Sequence, residues 1–531
     1  MRRWNGWGDE ATVVTLPANG ATFLAERISA GEPLPDASLD QVLALVPASR
    51  LQAHPLISLD AETRVRHARG QSLPDWLAMR EGRFGQFPDG VAFPETPEQI
   101  RQLLALAAER DFVLIPYGGG TSVAGHINPQ AGERPVLTLS LARMNRLVEL
   151  DEKSLVATFG PGANGPQVES QLRARGYTLG HFPQSWELST LGGWVASRSS
   201  GQQSLRYGRI EQLFAGGTLE TFSGPMELPT FPASAAGPDL RELVLGSEGR
   251  FGVISEVRVR VTRMAERESF YAVFLPNWSQ ALEGIRSLAQ ARVPLSMLRL
   301  SNAIETETQL ALAGHPGQIA LLEKYLALRG AGAGKCMLTF GVTGNRAQNA
   351  ASLKQARRLL KSFGGVFTGT LLGRKWAENR FRFPYLRHAL WDAGYVVDTL
   401  ETATDWVNVD NLLGKVEASL RNGLKAEGER VHVFTHLSHV YGEGSSIYTT
   451  YVYRPGGSYA EALARWRKLK SAASDTIAQN RGTISHQHGV GRDHAPWLPA
   501  EKGPLGMAAL RSLVRHFDPE QRLAPGVLLE D

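Results

Sequence analysis

Apolar and polar residues recur along the chain with spacings that predict both strands and helices. Residues 257–263 read VRVRVTR, in which valine alternates with polar residues. This alternation is typical of a strand with one buried and one solvated face. Residues 90–120, GVAFPETPEQIRQLLALAAERDFVLIPYGGG, predict a strand, a helix and a second strand. The helix has one apolar face, which is formed by Ile100, Leu103, Leu104 and Ala107. The second strand, FVLIPY, is apolar enough to be buried, and it leads directly into three glycines.

Further apolar runs extend this pattern into one α+β domain. They read PVLTLSL at 135–141, SLVATFG at 154–160 and FGVISEVRVRVTR at 251–263. We expect the domain to cover residues 85–264, after an N-terminal segment of residues 1–84.

After residue 264 the pattern predicts two strand–helix–strand units. The first consists of ESFYAVFLP, a helix around 278–291 and LSMLRLS, and the second of KCMLTFGVTG, a helix around 346–363 and GVFTGT. Two such units are typical of a ferredoxin-like sandwich. We therefore predict a separate substrate-binding cap domain over residues 265–484 and a C-terminal segment over residues 485–531.

Composition narrows the classes of protein to which this chain can belong. The 531 residues suffice for two or three domains, and 57 basic against 52 acidic side chains leave a net charge of only +5. Since no block of Lys and Arg stands out, we expect no nucleic-acid partner. The single cysteine, Cys336, excludes an intrachain disulfide and is expected to be a small buried apolar residue. Without a secretory signal or a spanning apolar run, the expected location is the cytoplasm, with peripheral contact to a membrane compatible with the sequence.

The glycine loop, GGGTS at residues 118–122, is the first candidate for chemistry. A glycine-rich turn after a buried strand exposes several backbone N–H groups, which suits phosphate oxygens. It has neither the Lys-Ser/Thr of a Walker loop nor the spacing of the dinucleotide fingerprint. A purely structural turn is the alternative.

Two further segments are rich in small residues. Residues 183–213 contain PQSWELSTLGGWVASRSSG, and residues 245–257 read LGSEGRFGVISEV. A backbone with so few bulky side chains either lies against a flat ligand or packs tightly as a loop.

Together, and in this order, the three segments resemble the FAD-binding domain of the vanillyl-alcohol-oxidase type flavoproteins, also called PCMH-type. The ending FDPEQRLAPGVLL, residues 517–529, is similar to the ending of that family, with Ala524 in place of an asparagine. The resemblance implies an α+β fold: a two-subdomain PCMH-type FAD-binding domain, a ferredoxin-like cap domain and a C-terminal helical return to the flavin. It also implies that FAD is bound by Pro116, Tyr117, Gly118, Gly119, Gly120, Thr121, Ser122, Gln184, Ser185, Leu188, Ser189, Thr190, Gly192, Gly193, Ser197, Arg198, Ser199, Ser200, Glu248, Gly249, Gly252, Val253 and Ile254.

Other stretches resemble the flavin-dependent synthases of that family. These stretches are RRWNGWGDE, YLRHALWDAGYVVDTLETATDWVNV, GEGSSIYTTYVYR and SHQHGVGRDHAPWL. Such synthases are alkyl transferases that exchange the acyl group of acyl-dihydroxyacetone phosphate for a fatty alcohol, without net redox change, to make an ether lipid precursor. The alternatives are an FAD-linked oxidase or dehydrogenase of a 2-hydroxy acid or alcohol, and a flavoprotein without catalysis. A homodimer is compatible with the sequence.

The resemblance assigns roles to four residues. It makes Arg387 the anchor of the substrate phosphate, Tyr448 the acid/base, and His486 and His488 catalytic histidines. By strand alternation Tyr448, Thr450 and Val452 share one face. The two histidines, with His436 and His439, also have residue types that bind a metal. We favour catalytic histidines without a metal.

The chain departs from the resemblance at two positions. Gln487 stands where the family has the middle one of three histidines, and Ala233 stands where it has an arginine needed for activity. A glutamine forms hydrogen bonds but carries no proton between groups. His126 is displaced from the positions at which flavin is attached in relatives, so we predict non-covalent FAD.

Overall fold

The computed structural model describes residues 1–313 and 315–530, which form three main sheets. In the first sheet, strands Gly90–Ala92, Val136–Ser140 and Val113–Tyr117 run parallel, and Ile57–Ser58 is added antiparallel to Gly90–Ala92. Ile57–Ser58 precedes residue 85, so the N-terminal segment contributes to this sheet. The helix Pro97–Arg110 begins at Thr96, whose Oγ1 accepts from the Gln99 N–H at 3.3 Å, and buries the predicted apolar face.

The second sheet has five antiparallel strands. Their order is Leu147–Asp151, Val156–Phe159, Val253–Arg260, Phe214–Thr221 and Gly224–Leu228. The predicted alternation is confirmed, because Val257 and Val259 are buried and Arg258 and Arg260 are partly exposed. Tyr177–Thr178 and Thr262–Arg263 form a small separate pair of strands.

The third sheet has seven strands, and every pairing is antiparallel. Their order is Val366–Phe367, Arg267–Leu275, Cys336–Gly344, Met297–Ser301, His432–Leu437, Gly444–Tyr453 and Val396–Asp405. The first four strands, with helices Trp278–Gln290 and Arg346–Ser362, form the predicted ferredoxin-like unit. The strands His432–Leu437 and Val396–Asp405, which our sequence analysis did not predict, extend that sheet.

Helices cover the remaining faces and join the sheets into one molecule. They are Ala18–Arg27, Leu39–Leu43, Ala61–Arg66, Leu73–Glu81, Gly165–Arg173, Leu191–Ser197, Ser204–Tyr207, Ile210–Leu213, Arg241–Val244, Ala303–Ala311, Pro316–Leu328, Leu371–Asn379, Phe383–Asp392, Trp406–Asn422, Tyr459–Gln479 and Leu498–Phe517, with 3-10 turns at Lys425–Glu427 and Ala495–Trp497. In the described part of the chain, none of these helices combines the length and apolar character needed to cross a bilayer.

The two ends of the chain both reach the middle of the molecule. Trp7 and Trp76 of the N-terminal segment share the largest apolar core with Leu298 and Phe340 of the third sheet. At the other end, the Ala524 N–H donates to the Leu114 carbonyl at 2.9 Å, so the C-terminal segment lies along the first sheet. Cys336 is buried as expected, and burial raises its pKa to about 12.

Candidate active site

A cavity of about 450 Å³ lies where the glycine loop meets the third sheet. The glycine loop and both small-residue segments line one side, and Arg387, Tyr448 and His488 line the other. The structure therefore brings together segments that are far apart in sequence, as the resemblance implied.

Close neighbours at two positions and a left-handed backbone at the third require the three glycines of the loop. A Cβ at Gly119 would lie 1.9 Å from the Leu188 carbonyl oxygen, and one at Gly118 would lie 2.4 Å from Thr190 Oγ1. Gly120 has φ +67°, a conformation that favours glycine. The sequence predicts that these glycines expose backbone N–H groups; the structure shows that they also admit residues 188–190.

The backbone of the glycine loop fits a diphosphate. Among the described residues, no hydrogen bond has the N–H of Gly118, Gly119 or Gly120 as its donor. The Tyr117 hydroxyl beside them is buried and also has no partner among these residues. Unpaired amides at the end of a strand are the groups that bind phosphate oxygens, so the loop and its neighbours fit the pyrophosphate of FAD.

Most residues predicted to bind the cofactor line the cavity, but Leu188, Arg198, Ser200 and Val253 do not. The Leu188 side chain packs against the largest apolar core, and Val253 is buried between the sheets. Arg198 turns outward to Glu242, at 2.9 Å, and Ser200 Oγ lies 3.0 Å from His439 Nδ1.

Glu248 holds the C-terminal segment against the loop rather than presenting a free carboxylate. Its oxygens accept from the N–H groups of Val490 and Gly491 at 2.6 and 2.7 Å, and lie 3.0 Å from His126 Nε2. His126 Nδ1 in turn lies 2.5 Å from Ser122 Oγ. Both nitrogens of this histidine therefore contact protein groups.

Arg387 lies on the helix Phe383–Asp392, which has Pro384 in its first turn. One guanidinium nitrogen, Nη1, donates to the Gln71 carbonyl at 2.7 Å, and the planar group stacks over Trp76 at 4.2 Å. The other nitrogen, Nη2, is buried with no hydrogen-bond partner among the described residues. Burial lowers the pKa of Arg387 to about 10, which leaves it a cation at neutral pH. The side chain is thus fixed with one donor left for an anion.

Tyr448 lies on the strand Gly444–Tyr453, next to the edge strand of the third sheet, directly opposite Glu401 on one neighbouring strand and His436 on the other. The His436 ring stacks on the Tyr448 ring at 4.7 Å, and the His488 ring approaches its edge at 6.0 Å. Thr450 and Val452 line the cavity beside it, as the alternation predicted. Burial raises the pKa of Tyr448 well above its ordinary value, so its phenol keeps its proton.

Behind His436 lies an ion pair that our sequence analysis missed. Glu305 lies 2.9 Å from His436 Nδ1 and 2.7 Å from Arg299 Nη2. Although burial opposes ionisation, His436 and Arg299 lower the pKa of Glu305 to about 2. Because Glu305 lies on the helix Ala303–Ala311 and Arg299 on the preceding strand, only the tertiary structure brings them to His436.

The segment SHQHG lies in the loop that follows the helix Tyr459–Gln479, and its two histidines have different surroundings. His488 lines the cavity, whereas His486 lies behind it, beside Arg209, Tyr441 and Glu401. Gln487 between them donates to Glu401 Oε2 at 2.6 Å. Within the part of the chain that the structure describes, Glu401, His439 and His486 form the group that could hold a metal ion, with ligand atoms within 4.8 Å of one another; His436 and His488 are not part of it.

The remaining predicted features lie as follows. Ala233 is on an exposed stretch and does not line the cavity. An apolar wall extends the cavity away from Arg387, and it is formed by Leu24, Leu312, Leu386, Leu390, Phe434 and Val452. Such a wall offers apolar contact to a hydrocarbon chain.

Comparison with known proteins identifies the family. Residues 88–224 match the family model described as FAD binding domain, and residues 264–528 match that described as FAD linked oxidases, C-terminal domain. Two curated relatives are the alkyldihydroxyacetonephosphate synthases of Dictyostelium discoideum and Trypanosoma brucei brucei. Each is 28% identical over 99% of this chain, and the matches cover 93% and 92% of those proteins.

A solved alkyldihydroxyacetonephosphate synthase structure has the same fold. It superposes with a TM-score of 0.85 at 25% identity, over 99% of this chain and 98% of that one. The chain therefore belongs to the FAD-linked oxidase family, and within it resembles alkyldihydroxyacetonephosphate synthase over nearly its whole length.

Proposed function

We propose that this protein is an FAD-dependent alkylglycerone-phosphate synthase. It exchanges the acyl group of acyl-dihydroxyacetone phosphate for a fatty alcohol and so forms an ether lipid precursor. The full-length similarity to two synthases and the match to a solved one support this assignment. In the proposed division of the chain, residues 85–264 hold FAD, residues 265–484 hold the substrate, and residues 485–531 close the site.

The observation that carries the proposal is the unpaired donor of Arg387 between the glycine loop and the apolar wall. A fixed guanidinium binds phosphate strongly and with defined geometry. A substrate whose phosphate binds there can extend its hydrocarbon chain along Leu386, Leu390 and Phe434. A phosphorylated lipid satisfies both surfaces, whereas a small hydroxy acid uses only the polar one.

The other cavity residues have complementary tasks. FAD, when bound, supplies a ring that accepts electron density from the substrate carbon. Tyr448 keeps its phenol proton and is suited to donate a hydrogen bond, whereas the neighbouring imidazole of His488 is suited to accept a proton. The apolar wall excludes water, which would otherwise compete with the fatty alcohol.

The exchange reaction itself is the test. The FAD-loaded protein should release fatty acid from acyl-dihydroxyacetone phosphate only when a fatty alcohol is added. A parallel anaerobic mixture with 2-hydroxy acids should leave the yellow flavin spectrum unchanged. Lasting bleaching without lipid exchange would instead support the oxidase or dehydrogenase alternative.

The proposal includes peripheral contact with a membrane, because the substrates are lipids. On the helix Pro316–Leu328, the apolar residues Leu321, Tyr325 and Leu328 share one side and are exposed by 72%, 43% and 85%. We expect co-sedimentation with phospholipid vesicles, reduced when these three residues are replaced by serine; unchanged sedimentation would remove this helix from the proposal. A cytoplasmic location, a homodimer and the absence of a nucleic-acid partner remain predictions.

A further inference from the structure

Three histidines surround Glu401 and form a histidine cluster: His439, His486 and His488. We propose that Arg209 and Glu401 fix the tautomer of His486. His486 is then a positioning residue, and His488 is the imidazole that exchanges a proton with the cavity. Neither Arg209 nor Glu401 was among the predicted site residues. The inference rests on the proposed function for the reaction, but its structural part is tested without it.

Arg209 determines which nitrogen of His486 accepts a hydrogen bond. Its Nη1 lies 2.7 Å from His486 Nε2, and its Nη2 donates to the His486 carbonyl at 3.1 Å. A guanidinium has donors and no acceptor. His486 Nε2 must therefore be an acceptor, and the ring proton belongs on Nδ1. The hydroxyl of Tyr441, 2.7 Å from the same nitrogen, can donate to it as well.

Glu401 lies on the side of the His486 ring opposite to Arg209. Its Oε1 lies 3.2 Å from His486 Nδ1, which attracts a proton to that nitrogen. The same carboxylate accepts from Gln487 Nε2 at 2.6 Å and lies 3.9 Å from both His439 Nε2 and His488 Nε2. Glu401 is buried on the strand Val396–Asp405, directly opposite Tyr448. It is therefore a buried anion at the centre of the cluster.

This arrangement opposes a metal ion at Glu401, His439 and His486. To coordinate through the Nδ1 that faces Glu401, His486 would carry its proton on Nε2, pointing at the Arg209 guanidinium 2.7 Å away. The Arg209 cation would also repel a second cation at short range. Arg209 is itself paired with Glu211 at 2.7 Å, which holds the guanidinium in place beside His486.

His488 is left as the histidine that can change its protonation during the reaction. It lines the cavity, whereas both nitrogens of His486 face protein groups. Two other histidines of the lining, His436 and His126, are paired with Glu305 and Glu248. The charged and titratable groups that act on His488 are Glu401 and Asp398 on one strand, Tyr448 on the next, Lys470 on the helix Tyr459–Gln479, and the histidines His486 and His494. Burial lowers the pKa of His488, and Glu401 raises it in part.

The same geometry explains Gln487. Its amide donates to Glu401 and its carbonyl oxygen accepts from the Ser200 N–H at 3.3 Å. Through these two hydrogen bonds Gln487 links Glu401 to the segment of small residues at 183–213. A glutamine performs this task without titrating, so the missing middle histidine does not remove the proton carrier.

Ring-nitrogen NMR of the FAD-loaded protein, labelled with ¹⁵N-histidine, tests the tautomer directly. The variants H486Q and H488Q assign the two sets of resonances. At neutral pH we expect His486 to show a protonated Nδ1 and an unprotonated Nε2. In Arg209→Met this preference should be lost, whereas Glu305→Gln, a matched change at another buried carboxylate of the cavity, should leave it intact.

Kinetics of Glu401→Gln test the consequence for the reaction. We expect kcat to fall by about tenfold or more, while KM for acyl-dihydroxyacetone phosphate and FAD content stay near those of the unmodified protein. The acid limb of the kcat profile should move to lower pH, because removal of Glu401 lowers the pKa of His488 further.

Three results would overturn the inference. They are a His486 ring protonated on Nε2 in the unmodified protein, zinc retained in equimolar amount after dialysis, and an unshifted acid limb in Glu401→Gln. A protein that shows the expected tautomers but no lipid exchange would instead contradict the proposed function, so the two failures are distinguishable.

Discussion

Replacement of Arg387 by methionine should weaken binding of the phosphorylated substrate without loss of FAD. The change keeps an unbranched side chain over Trp76 but removes the unpaired Nη2 donor and the bond from Nη1 to Gln71. A hydrogen bond to a charged group contributes about 1.5–3 kcal/mol. Loss of one such bond to phosphate should raise KM for acyl-dihydroxyacetone phosphate by about 10- to 150-fold.

The assay compares initial rates of fatty-acid release over a range of substrate concentrations, with the flavin content measured from its absorbance. Arg382→Met is the matched control, because Arg382 is exposed at the start of the same helix. Its KM should be close to that of the unmodified protein. If Arg387→Met retains its KM with full flavin content, the assignment of Arg387 as phosphate anchor is wrong.

Three further predictions test other parts of the site. Gly119→Ala should weaken FAD binding by about 1–3 kcal/mol, because its Cβ would meet the Leu188 carbonyl. Gly132→Ala, in an open loop, should leave FAD binding unchanged, and equal FAD affinities of the two variants in titrations would contradict this prediction. Tyr448→Phe should keep the fold by circular dichroism and lose about 100-fold in turnover; a normal rate would remove the phenol from the mechanism. Glu305 has a pKa of about 2, against an ordinary value of 4.5. Its ionised carboxylate should therefore add about 3 kcal/mol to the free energy of unfolding above pH 4.5. This stabilisation should be lost as the pH falls toward 2. Denaturant unfolding of Glu305→Gln should therefore show a weaker acid dependence, and an identical one would refute the ion pair.

Local patterns were sufficient to predict much of the fold. Helices at 97–110, 278–290 and 346–362 and the strands around them follow from apolar periodicity, which is encoded within short windows. The strand Val396–Asp405 was missed because polar residues such as Thr399 and Glu401, which face the cavity and the histidine cluster, interrupt its apolar pattern. Polar residues that serve the cavity thus interrupt the apolar periodicity on which strand prediction depends.

The candidate site was predictable only in part. The glycine loop, Arg387 and Tyr448 carry motifs, and the structure places them around one cavity. Arg209 and Glu305 carry no motif, since each reaches its histidine across more than 100 residues of chain. Gln487 was interpreted as a loss of a proton carrier, but only the register of Glu401 with Tyr448 shows what its amide contacts.

Mass spectrometry of the lipid product tests the central claim most directly. The FAD-loaded protein is mixed with acyl-dihydroxyacetone phosphate and a fatty alcohol of a different chain length. The account predicts an alkyl ether of dihydroxyacetone phosphate that carries the alcohol's chain, formed in equal amount with the released fatty acid and absent without FAD. Release of fatty acid with no ether formed, or an ether yield that does not depend on FAD, would contradict it.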